Sequence, residues 1–82
     1  MKVGCLVKYR WQTEAFKVYD RPGDPSAMNP DLNIPGNSVG VILETMTAAP
    51  LDSRSPKPYP WHKVLFPTGT GWVLSFDLDW AQ

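Results

Sequence analysis

The sequence is short of most of what an active or metal-built site requires. It holds one cysteine, Cys5, and one histidine, His62, so neither an internal disulfide nor a Cys/His zinc set can be assembled from one chain. A Cys–His dyad would need both groups within hydrogen-bond reach and a third group to orient the imidazole, and nothing in the spacing supplies these. Cys5 reads as a small buried apolar residue, and His62 as an outward-facing strand residue beside Trp61. There is also no excess charge of either sign. Eight Lys or Arg offset eight Asp or Glu, which argues against the broad positive field of a nonspecific nucleic-acid binder. No apolar run approaches the ~20 residues of a membrane span. The N-terminal apolar stretch is broken too early for a signal peptide, so the chain is expected to be soluble and to start at its own Met1. Gly69-Thr70-Gly71 lacks the following Lys and helix of a phosphate-cradling loop.

What is present is aromatic and proline-rich. In 82 residues there are four Trp, three Tyr, three Phe and nine Pro. That is too many aromatics for a disordered segment, in a chain with room for one small core. The expectation is a single domain over residues 1–82. Leu6 to Trp11 alternates with the period of a strand, placing Val7, Tyr9 and Trp11 on one side. Glu14 to Tyr19 alternates as well. Asp20 to Asn37 carries four prolines and two glycines and reads as a loop. Val39 to Met46 is the clearest strand, with Val39, Val41 and Leu43 on one face and Gly40 marking a close approach or a bulge. A second proline-rich loop covers about 47–60, its run Pro56-Lys57-Pro58-Tyr59-Pro60 favouring polyproline II. Trp61 to Phe66 and Trp72 to Leu74 form a hairpin about the turn Pro67-Thr68-Gly69-Thr70-Gly71. A 3₁₀ turn at Ser75-Phe76-Asp77 precedes a closing strand at Leu78 to Trp80.

No segment keeps helical periodicity, so the domain is expected to be all-β. Five short strands are too few for a two-sheet sandwich and suit a small, strongly bent SH3-like barrel that hides most of its edges. Alternation assigns Val7, Tyr9, Val39, Val41, Val64, Phe66 and Val73 to the core.

Three pieces carry a resemblance: Gly4-Cys5-Leu6-Val7-Lys8-Tyr9-Arg10, Ser38-Val39-Gly40-Val41-Ile42-Leu43-Glu44, and Lys63-Val64-Leu65-Phe66 with Gly71-Trp72-Val73 and Asp77-Leu78. In these the chain resembles the small SH3-like barrel proteins of tailed bacteriophages, especially those of marine and cyanobacterial hosts. Such proteins open on Gly-Asp-Leu-Val, begin the second long strand with Gly-Val-Gly or Gly-Ile-Gly, and close on Trp-Val and Asp-Leu. Cys5 stands here for the usual Asp and Ser38 for the first Gly. The likeness spans about half the chain and leaves out both proline-rich loops. It implies the fold and a place in the virion or the host cytoplasm; because one fold hosts many functions, it says little about activity.

A barrel this small cannot bury ten aromatics, and Trp and Tyr supply large contact areas at low entropic cost. Trp11, Tyr19, Tyr59, Trp61, Trp72 and Trp80 are left either to seat the loops or to meet a partner. The expected function is a non-enzymatic protein-binding or assembly module: an accessory structural protein of a phage virion that docks on a larger virion protein through Trp11, Tyr19, Tyr59 and Trp61. A KOW- or Tudor-like nucleic-acid module would instead use Lys2, Lys8, Arg10 and Lys17 with the neighbouring aromatics. A phage factor that binds a host protein is the third reading. Asp77 and Asp79 share a face in an extended segment, yet a turn cap and a solvated terminus account for them. Ser75 has no base beside it in sequence. No metal, cofactor or catalytic residue is assigned.

Overall fold

The structure, a computed structural model, describes residues 1–48 and 59–81. Its strands are β1 (Leu6–Tyr9), β2 (Ala15–Phe16), β3 (Ile34–Pro35), β4 (Val39–Ala48), β5 (Tyr59–Phe66), β6 (Gly69–Leu74) and β7 (Leu78–Trp80). Two 3₁₀ turns, at Pro25–Ala27 and Ser75–Asp77, complete the elements, and among the described residues there is no α-helix. Five strands form one antiparallel sheet in the order β6-β5-β4-β1-β7, while β2 and β3 make a separate two-stranded ladder. The β5–β6 hairpin forms as predicted but about a tighter turn, Pro67-Thr68, with Gly69-Thr70-Gly71 already paired in β6; the 3₁₀ turn at Ser75–Asp77 and the final strand Leu78–Trp80 fall where the sequence predicts them.

The stretch from Asp20 to Asn37 holds more structure than its prolines suggest. Asp24 caps the first 3₁₀ turn by accepting from the backbone N–H of Ser26 at 2.9 Å and from its hydroxyl at 2.6 Å. Those two bonds, side-chain first, hold the Asp24 carboxyl below its ordinary range. Further along, Ile34 pairs with Phe16 and is fully buried. The prolines interrupt the ladder without preventing it, because a two-residue strand needs few donors. Of the second proline-rich stretch, Tyr59 and Pro60 open β5, and the polyproline II reading of Pro56-Lys57-Pro58 lies outside the described residues.

The core is built from Val7, Phe16, Val18, Ile34, Ile42, Val64, Phe66, Val73 and Leu78, with Tyr9 and Cys5 packed half-buried against it. The expected face of β4 is therefore reversed. Val39 is exposed and Val41 half-buried on the outer surface, while Gly40 and Ile42 point inward. Gly40 makes this possible: a Cβ at that position would lie 2.5 Å from a Val64 methyl and 2.8 Å from the Phe66 ring. The strand closes onto β5 only because there is no side chain between them.

The extra residue sits further on, between Ile42 and Glu44, where the pairing steps from Ile42↔Val64 to Glu44↔Lys63. Leu43 is the unpaired residue of this bulge, and beyond it the phase of β4 inverts, so that Thr45 faces His62 on the inner side. Ile42→Ala is expected to cost about 2–5 kcal/mol of unfolding free energy, against about 0.5 kcal/mol for Leu43→Ala. Urea denaturation of the two variants would show the reverse order if simple alternation described the strand.

Candidate functional site

The sequence-predicted aromatics divide into two sets, and the sheet decides which is which. Lys63 and Trp61 lie on the outer side of β5, and Trp72, paired with Lys63, lies beside them on β6. The segment after β2 then crosses that end: Tyr19 donates to the Trp72 carbonyl at 3.0 Å and accepts from the Trp72 N–H at 2.7 Å. Its ring meets Trp61 edge-on at 5.4 Å. Trp61 is 0% exposed and Trp72 also buried, both outside the main core cluster. Trp61 thus cannot dock a partner as predicted from sequence, and half-buried Tyr19 is spent on holding it. The physical reason is that a pairing of residues 19 and 72, 53 apart in sequence, supplies the lid; local alternation carries no trace of it.

The other set is exposed. After β1 the chain turns toward the second 3₁₀ turn, and the Arg10 N–H donates to the Asp77 carbonyl at 2.8 Å. Trp11 donates its indole Nε1–H to Asp77 Oδ1 at 2.9 Å and lies 5.9 Å from the Phe76 ring at a tilt of 49°. The Arg10 guanidinium stands 5.1 Å above Phe76, a cation–π distance, and Nη2 reaches the Leu78 carbonyl at 3.4 Å. Trp11 is 46% and Phe76 62% exposed. Two large rings and a guanidinium are therefore held in fixed relation on the surface by backbone and indole hydrogen bonds. Beside them, Lys8, Tyr9, Gln12, Thr13 and Asn37 border a groove of about 350 Å³.

The floor of this groove is prepared from below. Tyr9 stacks on Phe16 with centroids 4.0 Å apart and planes within 5°, and Phe16 meets Phe66 edge-on at 5.4 Å. Burial pushes the Tyr9 phenol above its ordinary range, with the charge of Asp77 and the nearby Tyr19 adding to the effect. Tyr9 accordingly stays neutral. Phe76 was not among the residues singled out from sequence; its signal was its place in a predicted 3₁₀ turn too short to bury a Phe. Tyr59, at the start of β5, is exposed as expected.

Of the four cations of the nucleic-acid reading, Lys8 and Arg10 both border this groove, whose lining includes neither Lys2 nor Lys17. Lys17 donates to the Pro30 carbonyl at 2.6 Å, and Arg10 is engaged with Phe76 and Leu78. Lys8 lies across the ladder from Asp79, and Lys2 is exposed near the N-terminus. Among the described residues no group of three or more His, Cys, Asp or Glu could hold a metal ion, and no helix is long and apolar enough to cross a membrane. Comparison with models of protein families, with curated proteins and with solved structures gives no match.

His62 does not face outward; it is 2% exposed. It shares the inner face of β5 with Val64 and Phe66 by strand alternation, and the bulge in β4 brings Thr45 opposite it, with Thr45 Oγ1 3.0 Å from His62 Nδ1. His62 Nε2 has no partner among the described residues, and neither has the Trp61 indole N–H on the opposite face. Burial, helped by the N-terminal ammonium, lowers the His62 pKa below its ordinary 6.5. The unfolded chain therefore binds a proton that the folded one refuses. Stability is full above about pH 6.5 and falls as the pH drops below it, by up to about 1.4 kcal/mol per pH unit. Urea unfolding midpoints of the wild type should decline from pH 7 toward about pH 5, with a shallower decline in His62→Gln. Equal slopes would mean that His62 is not the buried neutral group.

Proposed function

We propose that the chain is a non-enzymatic protein-binding module whose docking surface is the Trp11–Phe76 pair with Arg10 above it. The observation that carries this reading is the pair itself. Trp11 stands nearly half and Phe76 more than half exposed, while bonds from the Trp11 indole and the Arg10 backbone to Asp77 hold the two segments together. Folding gains little from leaving such area wet, whereas a partner that covers it gains from rings already ordered. Trp11 is retained from the set predicted by sequence, Phe76 replaces Trp61, and Tyr59 is a further exposed aromatic.

The strand order β6-β5-β4-β1-β7, with a 3₁₀ turn leading into the last strand, supports the finer reading of the fold as an SH3-like barrel. In that reading Trp11 opens the long connection after β1 and Phe76 comes from the turn before β7, so two rigid elements hold the surface. The likeness of Gly4–Arg10, Ser38–Glu44 and the closing strands to small tailed-phage proteins supports an accessory structural role in a virion, with a larger virion protein as partner. The balanced charge of the chain, and a groove lined by Lys8 and Arg10 but by neither Lys2 nor Lys17, favour this reading over a nucleic-acid surface.

Trp11→Ala and Phe76→Ala are each expected to weaken binding by about 30-fold, corresponding to about 2 kcal/mol at an aromatic hot spot, with little change in unfolding midpoint. Trp61→Ala should instead destabilise the fold by about 3–5 kcal/mol. The measurement is quantitative capture from phage-infected cells, wild type beside each variant, at low and high salt. One protein enriched by the wild type, lost with Trp11→Ala and indifferent to salt is the expected result. Captured nucleic acid released steeply by salt, with no response to either substitution, would overturn the proposal.

A further inference from the structure

The five-stranded sheet ends on β6 and on β7, and an outermost strand turns half of its main-chain groups away from its one neighbour. Such an edge is a template for a strand of another chain. At β6 the backbone itself closes it. Trp72, whose N–H and carbonyl both face outward, exchanges two bonds with Tyr19. The far side of that segment is paired in turn, the Asp20 N–H with the Ala27 carbonyl at 2.8 Å and the Asn29 N–H with the Val18 carbonyl at 2.9 Å. Residues 27–29, now outermost, lie between Pro25 and Pro30, which have no N–H to offer.

Among the described residues no strand pairs with the outer side of β7. Bonds from the Arg10 N–H to the Asp77 carbonyl and from the Ala81 N–H to the Leu6 carbonyl bracket its pairing with β1, with Lys8 opposite Asp79. Alternation then turns the main-chain groups of Leu78 and Trp80 outward. Among the described residues, all of these but the Trp80 carbonyl are nevertheless engaged. The Leu78 N–H donates to the Ser75 carbonyl within the 3₁₀ turn. The Leu78 carbonyl accepts from Arg10 Nη2 at 3.4 Å, and the Trp80 N–H donates to Asp79 Oδ1 at 2.9 Å.

We propose that Asp79 and Arg10, by bonding to main-chain groups that face outward, close the β7 edge and keep the sheet from continuing into a second copy of the chain. Strand addition needs a free donor on one strand to meet a free acceptor on the other. Here the donor at Trp80 is held by a carboxylate and the acceptor at Leu78 by a guanidinium. Register adds to the effect. An antiparallel pair of β7 edges that joins Leu78 and Trp80 of one copy to Trp80 and Leu78 of the other sets Asp79 opposite Asp79, and like charges in that position repel.

The two caps differ in weight. The Asp79 bond is short and charge-assisted, while the Arg10 bond is longer and the lesser of the two. Arg10 also stands over Phe76, so the closed edge and the Trp11–Phe76 surface share one guanidinium. A partner seated on that surface then meets side chains rather than an open strand. The closure of β7 does not rest on that reading, because both caps are made within one chain and need no partner.

Four main-chain bonds between two opened edges give an association no tighter than about 1 mM. The test is therefore NMR of the ¹⁵N-labelled full chain, with amide shifts followed from about 50 µM to about 2 mM, the range that brackets so weak a contact. Asp79→Ala removes the acceptor, and its Leu78 and Trp80 amides should shift progressively with concentration while the rest of the spectrum stays that of the wild type, since Asp79 is exposed. At the dilute end its Trp80 amide should exchange about fivefold faster than in the wild type, the loss of one ordinary hydrogen bond. The wild type and Asp79→Asn, which keeps an acceptor oxygen without the charge, should show neither change. Adding Arg10→Met to Asp79→Ala frees the Leu78 carbonyl and should enlarge the shifts; no enlargement overturns the share given to Arg10. Asp79→Ala amides that do not move with concentration, or a wild type that moves as much, overturn the proposal. Asp79→Asn behaving like Asp79→Ala overturns it as well, because charge and not the hydrogen bond would then close the edge.

Discussion

The bulge between Ile42 and Glu44 sets the phase of the longest strand, and most of the molecule follows from that phase. β4 is the middle strand of the five, pairing with β1 on one side and β5 on the other. Before the bulge it sends Gly40 and Ile42 inward and leaves Val39 and Val41 outside; after it, the exposed Thr45 comes onto the side of His62 and sets its hydroxyl against the imidazole. One unpaired residue thus lets a single strand serve the core at one end and a buried imidazole at the other. Gly40 is the companion requirement, since any side chain there would overlap Val64 and Phe66.

The aromatic residues follow a second constraint, the closing of one sheet end by Tyr19. By exchanging backbone hydrogen bonds with Trp72, Tyr19 lays its own ring against Trp61 and turns the outer side of that end into a small second core. Trp61 and Trp72 become structural. After β1 no such cover forms among the described residues, and the hydrogen bond that fixes Trp11 to Asp77 leaves its ring and that of Phe76 exposed. Rigid, exposed aromatic area is what distinguishes a surface built for a partner from one left over after folding. The functional reading rests on that contrast between the two ends.

How much of this the residues reveal by themselves depends on how local each feature is. The β5–β6 hairpin, the 3₁₀ turn at Ser75–Asp77 and the last strand are set by turn residues and alternation within a few positions, and they are legible. The inner face of β4 is not, because Val39, Val41 and Leu43 make a better apolar stripe than Gly40 and Ile42. Only the fit of Gly40 under Val64 and Phe66 reverses the preference. The inward direction of His62 is local, since it alternates with Val64 and Phe66 on β5; only its Thr45 partner depends on the bulge. Trp11 was legible as a surface candidate because so small a core cannot hold ten aromatics, although the strand ends at Tyr9 rather than running through it. Phe76 and the loss of Trp61 were not, since they follow from contacts between residues more than fifty positions apart.

The sorting of the tryptophans is the central claim, and their indole N–H groups report on it one by one. In hydrogen exchange followed by NMR on the ¹⁵N-labelled chain, the account predicts that the Trp61 indole proton exchanges only through global unfolding, and so shares the protection of the core amides. Those of Trp11 and Trp80 should exchange many orders of magnitude faster, without denaturant dependence. If Trp61 exchanges as fast as Trp11, or if Trp11 is protected like the core, the division into structural and partner-facing aromatics is wrong.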